Sequence, residues 1–219
     1  MKVQSIITKE EYNELMEKGI LYTDTEKIFS NNNSIISDKY YKIMSAYHWM
    51  SAKLAEKTCC YEYIYPRWVW RKYDGIKGWR TLKQVKESIE VAGEYVVLNL
   101  NIPEDRLLLS QFDEWHYVLN GWYLAVDDDD YEKHEEWKEK NNLPWDVFSV
   151  PKNLEKKQCT KTARKKIIKS WERIFKFSLD EEDYIQGVCW FLKKEDVKSV
   201  YSFVKTQSEI DKEKEEENK

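Results

Sequence analysis

The sequence predicts an α+β fold: a single domain with a mixed or antiparallel sheet flanked by helices. Three observations predict it. Stretches with strand alternation and stretches with helical periodicity follow one another without regular βαβ spacing. No glycine-rich turn follows the first strand, which argues against a doubly wound sheet. No Gly/Pro/Ser-rich linker divides the 219 residues, which hold only six glycines and four prolines. That length supports one good core. The domain is expected to span residues 1–208. The tail from Glu209, EIDKEKEEENK, has one apolar residue and is expected to be disordered.

Val3-Gln4-Ser5-Ile6-Ile7 reads as a first strand. Thr8 and Glu11 fit a capping box. The helix Lys9 to Lys18 puts Tyr12, Leu15 and Met16 on one face, and Gly19 is a natural residue to end it. Ile20-Leu21-Tyr22 forms a short strand, and Asn31-Asn32-Asn33-Ser34 a loop. Asp38 to Lys57 is strongly helical in pattern, with Tyr41, Met44, Tyr47, Met50 and Leu54 recurring at helix spacing and His48 and Trp49 among them.

Tyr61 to Tyr73 alternates like a strand interrupted at Pro66. Its second half puts Trp68, Trp70 and Lys72 on one face and Arg67, Val69, Arg71 and Tyr73 on the other. Gly75 and Gly78 mark a loop, and Thr81 to Val91 a short amphipathic helix. Tyr95 to Leu100 is rich in strand formers. Pro103 breaks the ladder, Leu107-Leu108-Leu109 forms a short strand, and a helix runs through Phe112 to Asn120. Asp127 to Asp130 is expected to be a solvated loop, since calcium ligation needs spaced oxygens and a central glycine. Glu132 to Lys140 is a charged helix or loop, with His134 at the surface. Pro144 and Pro151 punctuate an irregular stretch. Lys152 to Phe175 carries nine Lys/Arg residues and turns helical from about Thr160. Tyr184 to Leu192 is the last major strand, and Lys194 to Phe203 a short helix or turn leading into a final strand.

Composition excludes several functions. The formal net charge of -4 gives no reason to expect nucleic acid or an anionic membrane as partner. No apolar run reaches membrane length and no leader pattern opens the chain, so a cytoplasmic location is expected. Cys59, Cys60, Cys159 and Cys189 include no C-x-x-C pair and are expected to be reduced thiols. With three histidines, a His-based metal site is not expected. No P-loop, nucleophile elbow, H-E-x-x-H or dinucleotide fingerprint is present.

Two constellations could carry chemistry. Asp113, Trp115, His116 and Asn120 lie at spacings that cluster on a helix, where a carboxylate near an imidazole would set its tautomer. In Arg67-Trp68-x-Trp70-Arg71, arginines could fork a phosphate while tryptophans stack a base. Each also has a plain structural reading: a capping Asp113 with a hydrogen-bonded His116, and strand packing with exposed arginines. Tyr47 and His48 read as core residues that could reach a ligand.

These residues carry a resemblance. Ala46-Tyr47-His48-Trp49-Met50, Pro66-Arg67-Trp68-Val69-Trp70, the stretch from Leu109-Ser110 to Asn120, Ser170-Trp171-Glu172-Arg173-Ile174-Phe175 and Ile185-Gln186 resemble an uncharacterised bacterial family classed as a domain of unknown function. The resemblance covers most of residues 1–205, and Phe112-Asp113-x-Trp115-His116-x-Val118-Leu119-Asn120 is its most specific piece. Gln111 stands where relatives carry an acid after the serine. A more distant likeness, to the ADP-ribosyltransferase fold, rests on the opening strand and helix ending in Gly19-Ile20-Leu21, a middle strand followed by proline, and a late strand carrying Gln186. It implies Gln4 and Thr8 at the first strand. Gln186-Gly187-Val188 stands where that fold carries Gln-x-Glu, so the catalytic acid is missing.

Together these imply a pocket for NAD or a related nucleotide, with or without turnover. Trp68 or Trp115 would stack the base, Arg67 or Arg71 would hold phosphate, and His116, Asp113 and Gln186 would serve the reacting end. Trp70, Ser110, Asn120, Tyr47 and His48 would line the pocket. The alternative is a non-enzymatic phage or plasmid factor that binds a host protein. Nucleic-acid binding through the Lys152–Arg173 helix is disfavoured by its acidic surroundings, since a phosphate grip depends on unopposed positive charge.

Overall fold

The computed structural model describes residues 1–24, 38–60, 65–143, 146–147 and 158–217. The expected Asn31–Ser34 loop, the first half of the Tyr61–Tyr73 alternation and both Pro144 and Pro151 lie outside them.

The fold is α+β, built on an antiparallel sheet whose central strand is the first in the chain. β1 (Lys2–Thr8) pairs with β3 (Arg67–Tyr73) on one side and with β5 (Gly93–Asn101) on the other. Beyond β3 come β7 (Ile185–Cys189) and the edge strand β6 (Leu108–Gln111), and beyond β5 comes β9 (Val197–Lys205). β4 (Ile76–Lys77) forms a hairpin with β3. β2 (Ile20–Tyr22) and β8 (Phe191–Lys193) make a separate two-stranded sheet.

One side of the main sheet is closed by α1 (Lys9–Lys18) and the small sheet. The Thr8–Glu11 capping box forms as expected, and Gly19 ends the helix at φ +78°. Val3, Ile7, Val69, Leu98, Leu100 and Cys189 pack there against Leu15, Leu21 and Leu192. Arg67 leaves the sheet on this side and binds Glu11 at 2.6 Å.

The other side carries a larger helical core. It is built by α2 (Asp38–Thr58), α4 (Phe112–Asn120) and α6 (Gln158–Ser170), with a 3-10 turn at Trp171–Phe175. Met50, Leu54, Trp115, Val118, Ile167, Trp171 and Ile174 meet Val188 of the sheet. Between them in sequence are α3 (Leu82–Glu87) and α5 (Asp128–Lys140).

Several expectations are corrected. Asp127 to Asp130 is no loop: Asp127 caps α5 and Asp128, Asp129 and Asp130 form its first turn. Carboxylates are favourable there because the helix dipole and the unpaired N–H groups are positive at that end. His134 is buried inside this helix instead of lying on the surface. The Tyr184–Leu192 strand is divided at Trp190, whose Nε1 donates to Thr58. Cys59 is at φ +52° just past α2. Cys59, Cys60 and Cys189 are free thiols. Lys194 to Asp196 is a 3-10 turn, after which β9 runs unbroken.

The tail expected to be disordered forms α7 (Gln207–Glu217). Thr206 and Glu209 make its capping box, Ile210 is buried, and Glu213 pairs with the buried Lys205 at 2.6 Å. A single apolar residue suffices because it docks on a surface that already exists. Among the described residues no helix is long and apolar enough to cross a membrane.

Candidate functional site

A row of polar side chains crosses the main sheet. In register, Ser110 lies opposite Gln186, Gln186 opposite Trp70, Trp70 opposite Gln4, Gln4 opposite Asn99, and Asn99 opposite Ser199. Directly opposed residues share a face, so six strands contribute to one line on the helical side. One half of the row is fully hydrogen-bonded. Gln4 Nε2 donates to Asn99 Oδ1 at 2.8 Å, and Asn99 Nδ2 donates to Ser199 Oγ at 2.9 Å. In the other half Ser110 Oγ and Gln186 Nε2 are buried and have no protein partner. Most buried polar atoms find one.

A bulge in β3 decides what stands over this row. Trp70 pairs with Gln186 but Lys72 pairs with Ile185, so Arg71 is an extra residue. An inserted residue reverses the side-chain alternation beyond it. Lys72 therefore leaves the face it was expected to share with Trp68 and Trp70, and Tyr73 joins Trp70 instead, their rings 4.8 Å apart. Trp70 also meets Phe112 at 4.9 Å, and Phe112 meets His116 at 4.9 Å. Tyr184 closes the wall, 5.3 Å from Tyr73.

At the far end of this wall is Arg80. It is 3% exposed. Its guanidinium stacks on Tyr73 at 4.0 Å, with Nε donating to Gln4 Oε1 and Nη1 to Ser88 Oγ, both at 3.1 Å. Nη2 has no partner, and among the described residues no carboxylate forms an ion pair with it. Burial holds its pKa below the usual arginine value, with Tyr73 and Tyr201 opposing the shift. Arg80 borders a cavity of about 260 Å³ lined also by Tyr73, Asp74, Ile76, Gln84, Glu87, Ser88 and Tyr184, so the carboxylates of Asp74 and Glu87 share that space with it. A buried cation without a counter-ion costs several kcal/mol, roughly, and the fold tolerates one here.

Of the expected site residues, Trp70, Ser110 and Gln186 meet on the row, and His116 reaches it through Phe112. The proposed Asp113–His116 pair does not form. Asp113 accepts from Gln111 at 3.4 Å, while His116 Nδ1 lies 3.2 Å from the Phe112 carbonyl. Those partners are nearer because Gln111 is the N-cap, its side chain accepting from Glu114 N. Asn120 donates to the His116 carbonyl at 2.8 Å and serves its own helix. Trp68, Tyr47 and Trp115 pack on one another in the helical core, with centroids 5.0–6.0 Å apart. His48 lies 3.3 Å from the Tyr65 hydroxyl on the exposed side of α2. Arg67 is on the opposite side of the sheet, and Arg71 spends Nη1 on the Lys2 carbonyl. Thr8 is occupied as a helix cap.

Arg80, Tyr73 and Ser88 escaped the sequence reading, though two signals pointed to them. Asp74-Gly75 is a strong two-residue hairpin signal, and both residues adopt positive φ, +51° and +71°. That turn fixes Tyr73 and Asp74 at the cavity. Thr81 and Gln84 form a capping box, which starts α3 immediately after Arg80 and brings Gln84 and Ser88 around.

No curated protein and no solved structure matches the chain. A family model matches residues 3–198, taking in the polar row as far as Asn99 and Gln186, the aromatic wall and Arg80, and the chain therefore belongs to the family described as Domain of unknown function (DUF3841).

Proposed function

We propose that this protein binds a small anionic ligand bearing a planar ring, of the nucleotide class, with its anionic group on Arg80 and its ring against the Tyr73–Tyr184 wall. The observation that carries this reading is the buried Arg80 guanidinium, which borders a cavity, pairs with no carboxylate among the described residues and leaves its Nη2 without a protein partner. Arginine suits phosphate and carboxylate because its planar fork matches their oxygens. The cavity falls just below the roughly 300–1,000 Å³ of drug-sized sites. It would hold one ring and one anionic group, a mononucleotide or half of NAD. Ser88 and Gln84 add hydrogen-bonding partners suited to a sugar or a base edge.

Binding is proposed here without turnover. Gln186 supplies an amide where transferase chemistry needs a carboxylate, and His116 has no acid oriented toward it. Titration with AMP, NAD and inorganic phosphate, followed by calorimetry, tests the reading. Saturable binding is expected to weaken by about tenfold or more in Arg80→Met, the loss of a charge-assisted hydrogen bond. The same variant should keep its far-UV spectrum but melt several degrees lower, because the buried Gln4 Oε1 loses its donor at a cost of about 1–3 kcal/mol. Absence of binding to all three probes, or equal binding by the variant, would overturn the proposal and favour a non-enzymatic partner role.

A further inference from the structure

A second hollow lies away from the polar row, where α4 ends and α5 begins. Gly121, at φ +70°, ends α4 and turns the chain back, so that Trp122 N donates to the Tyr117 carbonyl at 2.8 Å. This sets the Trp122 ring against Tyr117 at 6.1 Å with the planes at 83°, two walls of a corner. Tyr131, His134 and Glu135 follow one another at helical spacing on α5 and form the other side. The hollow measures about 350 Å³, and Tyr123 also lines it. Tyr117, Trp122 and Tyr131 are 39, 44 and 47% exposed, an unusual clustering of large rings at a surface.

We infer that this hollow binds an alkylated ammonium group, held by the faces of Tyr117, Trp122 and Tyr131 and by the Glu135 carboxylate. Aromatic faces are negative and attract cations, most strongly when the cation is poorly hydrated. A bare ammonium is strongly hydrated and small for this space, whereas alkyl groups fill it and shed water easily. The electrostatic surroundings agree. Residues 127–140 hold eight carboxylates (Asp127, Asp128, Asp129, Asp130, Glu132, Glu135, Glu136 and Glu139) against three lysines (Lys133, Lys138 and Lys140). Two of the protein's own cations lie nearby and offset part of this charge: Lys166 and Arg173 are 4.7 and 5.4 Å from the Tyr123 centroid. Tyr123 is therefore occupied and is not one of the cation's walls. Lys138 is tied to Glu135, so it neutralises part of that charge but does not fill the hollow. His134, 3% exposed, stacks on Tyr123 at 3.9 Å, and its Nδ1 has no protein partner. Burial and Lys166 hold its pKa at about 4, so near neutrality it adds no repelling charge.

Calorimetric titration of the full chain with choline, with a peptide bearing trimethyl-lysine, and with 3,3-dimethylbutanol, the neutral isostere of choline, tests the inference. Choline or the peptide should bind saturably, and whichever binds tighter identifies a free or a protein-borne source. The neutral isostere should bind about tenfold more weakly, the difference a desolvated cation–π contact makes. Trp122→Ala and Tyr131→Ala should each weaken binding by about tenfold, and Trp122→Phe should retain most of it. Both side chains are nearly half exposed, so the fold should survive, which circular dichroism checks. Equal affinity for the isostere, no response to either cation, or full affinity in Trp122→Ala would overturn the inference. Arg80→Met should leave this binding unchanged, so the two sites fail or succeed separately.

Discussion

His134 shows how far a tertiary environment moves a single group. Its sequence neighbours are charged, and a surface imidazole would titrate near 6.5. Instead burial under Tyr123 strips the ring of water, and Lys166 and Lys138 add positive charge that Glu135 and Asp130 oppose only in part. Its pKa drops to about 4. The unfolded chain takes up the proton below about 6.5 and the folded one only near 4, so the contribution to stability is complete above pH 6.5. It is lost as pH falls, by about 3 kcal/mol at most. Urea unfolding at pH 7 and at pH 4.5 should show this decline, and His134→Phe should flatten it while keeping the stack. Cys189 is displaced in the opposite sense: burial pushes its thiol up to about 12, which leaves it unreactive. Arg80 belongs with these two, a cation whose burial opposes its charge.

Among the elements, α7 is the sharpest test of the structure. Lys205, at the end of β9, is buried and satisfied by Glu213 and the Lys86 carbonyl. Lys86 in turn binds Glu209, holding that carboxyl down at about 2. Removing residues 207–219 would leave Lys205 without its counter-ion and strip cover from the site of Ile210. Denaturant unfolding should then show a loss of about 3 kcal/mol or more, partly recovered by Lys205→Met in the shortened chain. A truly disordered tail would produce no change. Thr206 and Glu209 have the spacing of a capping box, a signal the sequence reading passed over. The docking surface was not legible in the sequence, because it is made by α3 and β9 together.

For the molecule as a whole, one sheet separates two cores that share its strands. β1 gives Val3 and Ile7 to one side and Gln4 to the polar row on the other. Neither core can open without losing the strands that support its partner, so the two should unfold together. Leu98→Ala, in the core beneath α1, should cost about 2–5 kcal/mol. Its effect should appear equally in far-UV circular dichroism and in the fluorescence of Trp115, Trp171 and Trp190, which are buried on the opposite side. Separate transitions would show that the cores are independent.

Local pattern was enough to predict the α+β class, the capped α1, the strand character of β1 and β5, and the helix from Phe112 to Asn120. These depend on alternation, helical spacing and caps, which act between residues a few positions apart. Trp70 stood out in the Arg/Trp run and Gln4, Ser110 and Gln186 only through resemblance, and neither showed that the four stand in one line. Their alignment depends on antiparallel register between strands as much as 182 residues apart, Gln4 to Gln186. The exchange of Lys72 for Tyr73 over the row comes from a bulge, an insertion relative to a partner strand that β3 does not encode alone. Arg80 became notable only when folding buried it without an acid, since charge compensation is a property of the space around a group and not of its neighbours along the chain.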